Sequence, residues 1–203
     1  MSRAGDHAMT SRVEAIREAS ATLDALNKRI HETVRTRDRG PNERERWSRA
    51  CEEFHRRYPT LFYPGGDKSL DALKSHDIGS IADALDFLDA DPMHFRSGYT
   101  KEEVWRRLGR APLTPTDKIR LEQIALRYLM RRIAREFWLM ARVMSKLGSA
   151  EFWNQVAQLA NSLEEPTKSR ALYLLNYRDG VAAGEAFRKQ LQMERLMRRY
   201  RGR

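Results

Sequence analysis

The chain has 203 residues, of which 41% are hydrophobic and 33% are charged, and its formal net charge is +10. This composition is typical of a folded domain with a charged surface and excludes a chain too polar to form a core. Cys51 is the only cysteine, which excludes an internal disulfide and a thiolate-rich zinc site. We predict neither a cofactor nor a metal.

No stretch of the sequence approaches the roughly 20 apolar residues of a membrane span. Residues 1–10 lack the apolar core of a secretory signal and look like a flexible tail. We therefore expect a cytoplasmic protein without a membrane span.

The first predicted element is a long amphipathic helix over residues 11–37, where apolar side chains recur at spacings of three, four and seven. A second helix follows from Asn42, which can cap it, to Tyr58. Together they predict an N-terminal helical hairpin over residues 11–58. The narrow apolar stripe fits packing on its own domain, which we prefer, or a dimer seam.

Residues 59–66 combine Pro, Gly and aromatic residues and predict an ordered loop. Residues 67–203 are predicted to form the main helical domain. Its first amphipathic helix ends near Ala90, where Asp91 and Pro92 stop it.

Later helix starts carry capping signals. Thr100 and Glu103 predict a capping box for a helix ending at Gly109. Thr114 and Asp117 repeat the signal for a long helix that we expect to continue to Leu147. Three further helices are predicted, over residues 152–163, 166–177 and 181–200.

The connections between these elements are only a few residues long, and no run alternates in polarity as a strand does. We find no fixed repeat of 30–45 residues. About eight helices of unequal length predict an all-α fold, either an irregular multi-helix bundle or a short α-solenoid.

The first candidate site is a basic ridge on the predicted long helix. At 100° per residue, six side chains fall within one arc of 100°: Arg127, Arg131, Arg135, Trp138, Arg142 and Lys146. Such a ridge could follow a nucleic-acid backbone with Trp138 stacking on a base. Alternatively, the arginines pair internally under a neighbouring helix, because Ile124 and Tyr128 share the arc.

The second candidate site is the basic C-terminal helix and tail. Residues 166–203 contain 10 basic and 3 acidic residues. The candidate binding residues for nucleic acid or an acidic partner are Arg188, Arg195, Arg198, Arg199, Arg201 and Arg203. Basic side chains also stabilise a helix C-terminus without any ligand, so both alternatives stay open.

A third candidate is the connection over residues 91–99, which mixes polar and aromatic groups. His94, Arg96 and Tyr99 could form a ligand site there. The alternative, which we prefer, is structural: Phe95 and Tyr99 would fill the core.

No credible catalytic constellation appears in the sequence, although enzyme activity stays undecided. We therefore expect a non-enzymatic helical interaction protein, an adaptor or accessory subunit, with a protein partner or self-association. The alternative is nucleic-acid binding mainly through phosphate contacts. A helical enzyme using His94 and Arg96 is the second alternative.

Overall fold

The computed structural model describes the backbone of residues 3–75, 77–131 and 134–180, and the side chains in these ranges from residue 11 onward. Within these ranges it contains helices, turns and bends and no strand. The prediction of an all-α multi-helix fold is confirmed for this part of the chain. Two compact units form, Met1–Asp117 (unit 1) and Lys118–Arg203 (unit 2).

Unit 1 contains five α-helices in the described residues, namely α1 (Arg3–Val34), α2 (Pro41–Leu61), α3 (Gly66–Ala72), α4 (Ile78–Ala90) and α5 (Ser97–Leu108). Short 3-10 helices cover Arg37–Arg39 and Leu73–Ser75. Helices α1 and α2 pack against each other, and α1 also contacts α4. The predicted hairpin therefore packs on the rest of unit 1. The predicted domain boundaries stay predictions.

Helix α4 is central in unit 1, since it contacts α1, α3 and α5. Its buried residues include Ile81, Leu85, Phe87 and Leu88. Burying each of these side chains stabilises the unit by about 1.5–3 kcal/mol. Because α4 is enclosed, the segment that follows it must leave the core sharply at Asp91.

Several helix boundaries differ from the predictions. Gly40, not Asn42, precedes the first helical residue of α2, and no side chain caps this end. Helix α5 begins at Ser97, so the predicted start at Thr100 is wrong. Thr100 is buried inside the helix, and Glu103 binds the side chain of Arg107 at 2.7 Å. The local capping patterns therefore do not determine where α2 and α5 begin.

The segment after α2 is ordered by burial. The side chains of Phe62 and Tyr63 are buried, as expected for aromatic residues in this loop. Gly65 and Gly66 both have positive φ, 73° and 67°. A Cβ at Gly66 would lie 2.5 Å from the carbonyl oxygen of Pro59, so only glycine fits there.

Among the described residues, α6 (Pro115–Met130) begins in unit 1 and continues in unit 2. Unit 2 also contains α7 (Phe137–Leu147), α8 (Ala150–Leu159) and α9 (Glu165–Arg178). The capping box before α6 is confirmed, since the Asp117 amide donates to the Thr114 hydroxyl oxygen at 3.2 Å. Helix α9 packs against both α7 and α8.

The predicted continuous helix to Leu147 is wrong, because α6 ends at Met130 and α7 begins at Phe137. No proline or glycine lies between these residues, so local propensity does not indicate the break. The buried side chain of Arg170 donates from Nη1 to the carbonyl oxygen of Leu129 at 3.1 Å. A tertiary contact thus satisfies one of the carbonyls left without a partner at a helix end.

Candidate functional site

The break after α6 divides the six residues of the predicted basic ridge. They are distributed over α6 (Arg127), the following segment (Arg131 and Arg135) and α7 (Trp138, Arg142 and Lys146). The predicted 100° arc requires one continuous helix. Because the helix is interrupted, the six side chains do not lie along one helix face.

Arg131 and Trp138 of the ridge contact other side chains of unit 2. The Arg131 guanidinium lies 3.3 Å from the Tyr128 ring centroid and forms an ion pair with buried Glu136 at 3.0 Å. The Trp138 ring meets the Tyr173 ring edge to face, with centroids 5.0 Å apart. For Arg131 and Trp138, the structure therefore favours the internal alternative over nucleic-acid contact.

Other basic candidates are exposed or lie outside the described residues. Arg142 and Lys146 are exposed one helical turn apart on α7 and form no ion pair among the described residues. The six C-terminal arginines predicted as binding residues all lie outside the described ranges. Their role stays a prediction.

The predicted loop site has an unusual backbone. Asp91, which ends α4, has φ of 50°, and Arg96, which precedes α5, has φ of 64°. They are the only non-glycine residues with positive φ in the part of the chain described. Left-handed backbone costs about 1–2 kcal/mol for such residues. Contacts elsewhere in unit 1 must hold the loop in this shape.

Three polar contacts with buried side chains of α1 and α5 hold the loop between α4 and α5. The fully buried ammonium of Lys101 on α5 donates to Asp91 Oδ1 at 2.7 Å. The Ser20 hydroxyl oxygen on α1 accepts the Met93 backbone N–H at 2.9 Å. The same oxygen lies 3.2 Å from Nδ1 of His94. Side chains from α1 and α5 thus fix the start and the middle of the loop.

His94 is part of this anchor and lies inside unit 1, with only 7% of its surface exposed. Burial, together with the positive charge of Lys101, lowers the pKa of His94 to about 4. The carboxylate of Asp24 acts in the opposite direction. The ring is therefore neutral at physiological pH and is positioned to support the loop.

The outer side of the loop presents aromatic groups. Phe95 is 49% exposed and Tyr99 is 53% exposed, so the prediction that they fill the core is wrong. Loop geometry explains the difference. The left-handed residue Arg96 directly precedes α5, which begins at Ser97 rather than at the predicted Thr100, and Phe95 and Tyr99 therefore face outward. Met93 is a further exposed side chain of the same loop.

Arg96 and Tyr58 complete this surface. The Arg96 guanidinium lies 5.6 Å from the Tyr99 ring centroid, and the Tyr58 hydroxyl donates to the Phe95 carbonyl oxygen at 3.4 Å. Burial raises the pKa of Tyr58, while the positive charge of Arg96 acts against this rise. We call these four residues, Tyr58, Phe95, Arg96 and Tyr99, the α4–α5 patch.

The structure separates the three residues predicted for the loop site. Arg96 and Tyr99 lie together on the outer surface, whereas His94 is buried beneath them. Sequence reasoning missed the anchors Ser20 and Lys101. The available signal for Ser20 was its position three residues before Leu23, on the apolar face of α1.

No helix among the described residues combines the length and the apolar character needed to cross a membrane. The sequence matches no protein-family model, and no curated protein or solved structure is significantly similar to it.

Proposed function

We propose that this protein is a non-enzymatic helical interaction protein, an adaptor or accessory subunit, which docks a protein partner through the α4–α5 patch. The observation that carries this proposal is a pair of half-exposed aromatic side chains, Phe95 and Tyr99, on a loop with two left-handed non-glycine residues. Aromatic residues, methionine and arginine are the types enriched at protein interfaces.

The anchoring of the loop supports this proposal. Ordering a flexible side chain on binding costs about 0.5–1.5 kcal/mol, which reduces affinity. The buried contacts of Lys101 and Ser20 hold the loop in one shape before any partner arrives. Strained backbone held by its surroundings is concentrated at binding sites, which further favours an interaction role for this loop.

The environment of His94 favours an interaction role over the alternative hypothesis of a helical enzyme that uses His94 and Arg96. A general base needs a route to its substrate, and His94 is buried with a pKa of about 4. The Arg96 guanidinium is exposed and lies over the Tyr99 ring. We therefore assign His94 a structural role.

An affinity-capture comparison tests the proposed function. We would immobilise the wild-type protein, the Phe95→Ser/Tyr99→Ser variant and the Ile78→Ser variant, then quantify captured proteins by mass spectrometry. Ile78 is a matched control, because it is 86% exposed at the opposite end of α4. We expect a partner that is retained by wild type and the control and lost by the double variant. Identical sets from all three proteins would refute docking at the patch.

Nucleic-acid binding is the alternative proposal, and the observation in its favour is the exposed pair Arg142 and Lys146 on α7. If both contact phosphate, Arg142→Gln/Lys146→Gln should reduce the slope of log affinity against log salt by about 2. Arg49→Gln/Lys74→Gln removes the same charge from unit 1 and is the control. Equal slopes for the two variants would exclude this role for α7.

A further inference from the structure

We infer that the partner docked at the α4–α5 patch is an acidic protein, bound through an amphipathic segment. One carboxylate of this segment binds Arg96, and its apolar side chains cover Phe95 and Tyr58. This inference rests on the proposed function and specifies the chemistry of the partner.

Arg96 is the charge that the partner must match. Its side chain is exposed, stacks over Tyr99 and forms no ion pair among the described residues. Some other arginines of unit 1 have carboxylate partners, such as Arg12 with Asp86 at 3.1 Å and Arg29 with Glu53 at 3.0 Å. A planar guanidinium held in one place is suited to bidentate binding of a carboxylate.

The apolar surroundings of Arg96 specify the rest of the segment. The Tyr58 and Phe95 rings are 6.4 Å apart, and Phe95 also meets the buried ring of Phe54 at 5.9 Å. Covering these rings excludes water from the guanidinium, which strengthens an ion pair across the interface. A segment with apolar side chains on both sides of a carboxylate fits this arrangement.

A second copy of the chain fits the patch less well. A two-fold symmetric contact centred on the patch brings the two Arg96 side chains together, and like charges repel. Several carboxylates of unit 1 are already engaged, including Asp83 and Asp86 with Arg12, and Asp91 with Lys101. The net charge of +10 also repels a second copy and attracts an acidic partner.

Nucleic acid also fits the patch less well than an acidic protein. Single-strand binding surfaces combine aromatic stacking with a groove of cations that follows the phosphates. At the patch, the neighbouring ammonium of Lys101 is buried against Asp91. Among the four residues that define the patch, Arg96 is the one cation, and the other three are aromatic.

Selection from a displayed peptide library tests this inference. The library consists of amphipathic helical peptides with fixed leucines on one face and the remaining positions randomised among Glu, Lys, Gln and Ser. The full-length wild-type protein and the Arg96→Glu variant would be used as separate targets. Phe95→Ser/Tyr99→Ser is the background target, and Arg96→Gln shows whether loss of the charge alone abolishes the preference. Circular dichroism checks that each variant is folded.

We expect wild type to enrich Glu over Lys, and Arg96→Glu to enrich Lys over Glu. A selected acidic peptide should bind wild type about tenfold or more tightly than Arg96→Gln, since one charge-assisted hydrogen-bonded pair is lost. Equal enrichment of Glu and Lys by wild type, or no peptide above background, would overturn the inference.

A competition arm separates the remaining outcomes. If a single-stranded oligonucleotide displaces the selected peptides more effectively than an unlabelled acidic peptide does, the partner class is nucleic acid and the inference fails. If peptides show no charge preference but affinity capture still depends on Phe95 and Tyr99, the docking function stands and only the acidic partner is refuted. If capture is also independent of these residues, both proposals fail.

Discussion

Lys101 Nζ lies 2.7 Å from Asp91 Oδ1, and this ion pair joins α5 to the left-handed residue that ends α4. The ammonium is fully buried, whereas the carboxylate is partly exposed. The pair closes the base of the loop that carries the α4–α5 patch. The shape of an exposed surface is thus held by a charge inside unit 1.

Replacing the carboxylate of this pair should destabilise the protein strongly. Asp91→Asn keeps a residue that tolerates left-handed backbone but removes a negative charge that lies 2.7 Å from the buried Lys101 ammonium. We expect the free energy of unfolding to fall by about 3 kcal/mol, as when one partner of a buried ion pair is removed. Urea unfolding of the two proteins measures this difference.

A double-mutant cycle provides the control. Lys101→Met fills a similar volume without a charge, and combined with Asp91→Asn it should cost less than the two single substitutions added together. Strictly additive costs would show that the ion pair does not couple α5 to the loop.

Acid should destabilise the protein through His94. Burial holds the pKa of His94 at about 4 in the folded state, against about 6.5 when unfolded. The unfolded chain therefore binds a proton that the folded protein excludes between these values. The stability that this exclusion provides is fully present above pH 6.5 and is lost as the pH falls to about 4. The free energy of unfolding then decreases by up to about 3 kcal/mol.

The His94→Asn variant isolates this contribution, because asparagine can still bond to the Ser20 hydroxyl but does not titrate. Urea unfolding at several pH values between 7.5 and 4.5 should give a smaller loss for the variant than for wild type. His31→Asn, at an exposed histidine of α1, is the comparison for loss of an imidazole. Parallel pH profiles for wild type and His94→Asn would contradict the expectation.

The left-handed backbone at Arg96 predicts that a glycine variant is more stable than an alanine variant at this position. This order is the reverse of the one expected inside a helix. Arg96→Gly and Arg96→Ala both remove the side chain, but glycine adopts φ of 64° without strain. We expect the glycine variant to be more stable by about 1 kcal/mol. At Arg106, an exposed position within α5, alanine should be more stable than glycine by a similar amount. Thermal unfolding of the four variants checks the inversion.

The buried guanidinium of Arg170 predicts a large effect in unit 2. Arg170→Met removes the donor to the Leu129 carbonyl oxygen at the end of α6. We expect a loss of about 2–3 kcal/mol, since a buried hydrogen bond from a charged group disappears. Lys168→Met on the same helix removes an exposed ion pair with Glu165 and should cost only about 0.5 kcal/mol. Similar costs for the two variants would show that Arg170 does not stabilise the break.

In this protein, the local periodicity of apolar residues predicts where helices are present. The stripe containing Leu23 and Leu26 predicts α1, and both side chains are buried as the pattern requires. The capping box of Thr114 and Asp117 also forms as predicted, because its partners are three residues apart. Signals contained within one helical turn can be read without the tertiary structure.

The boundaries and the candidate site depend instead on distant residues. The break between α6 and α7 involves Arg170, which lies 41 positions after Leu129. The loop anchor Ser20 lies 73 positions before Met93. No local pattern indicates such contacts, so the sequence suggested one long basic ridge and a buried Phe95.

The sequence by itself determined the all-α class, the charge of the chain and the presence of an aromatic and basic connection at residues 91–99. Only the tertiary structure decided that Phe95, Arg96 and Tyr99 face outward while His94 faces inward. The physical reason is that two left-handed residues are unfavourable on their own. Buried polar contacts from α1 and α5 offset that cost, and they exist only in the folded chain.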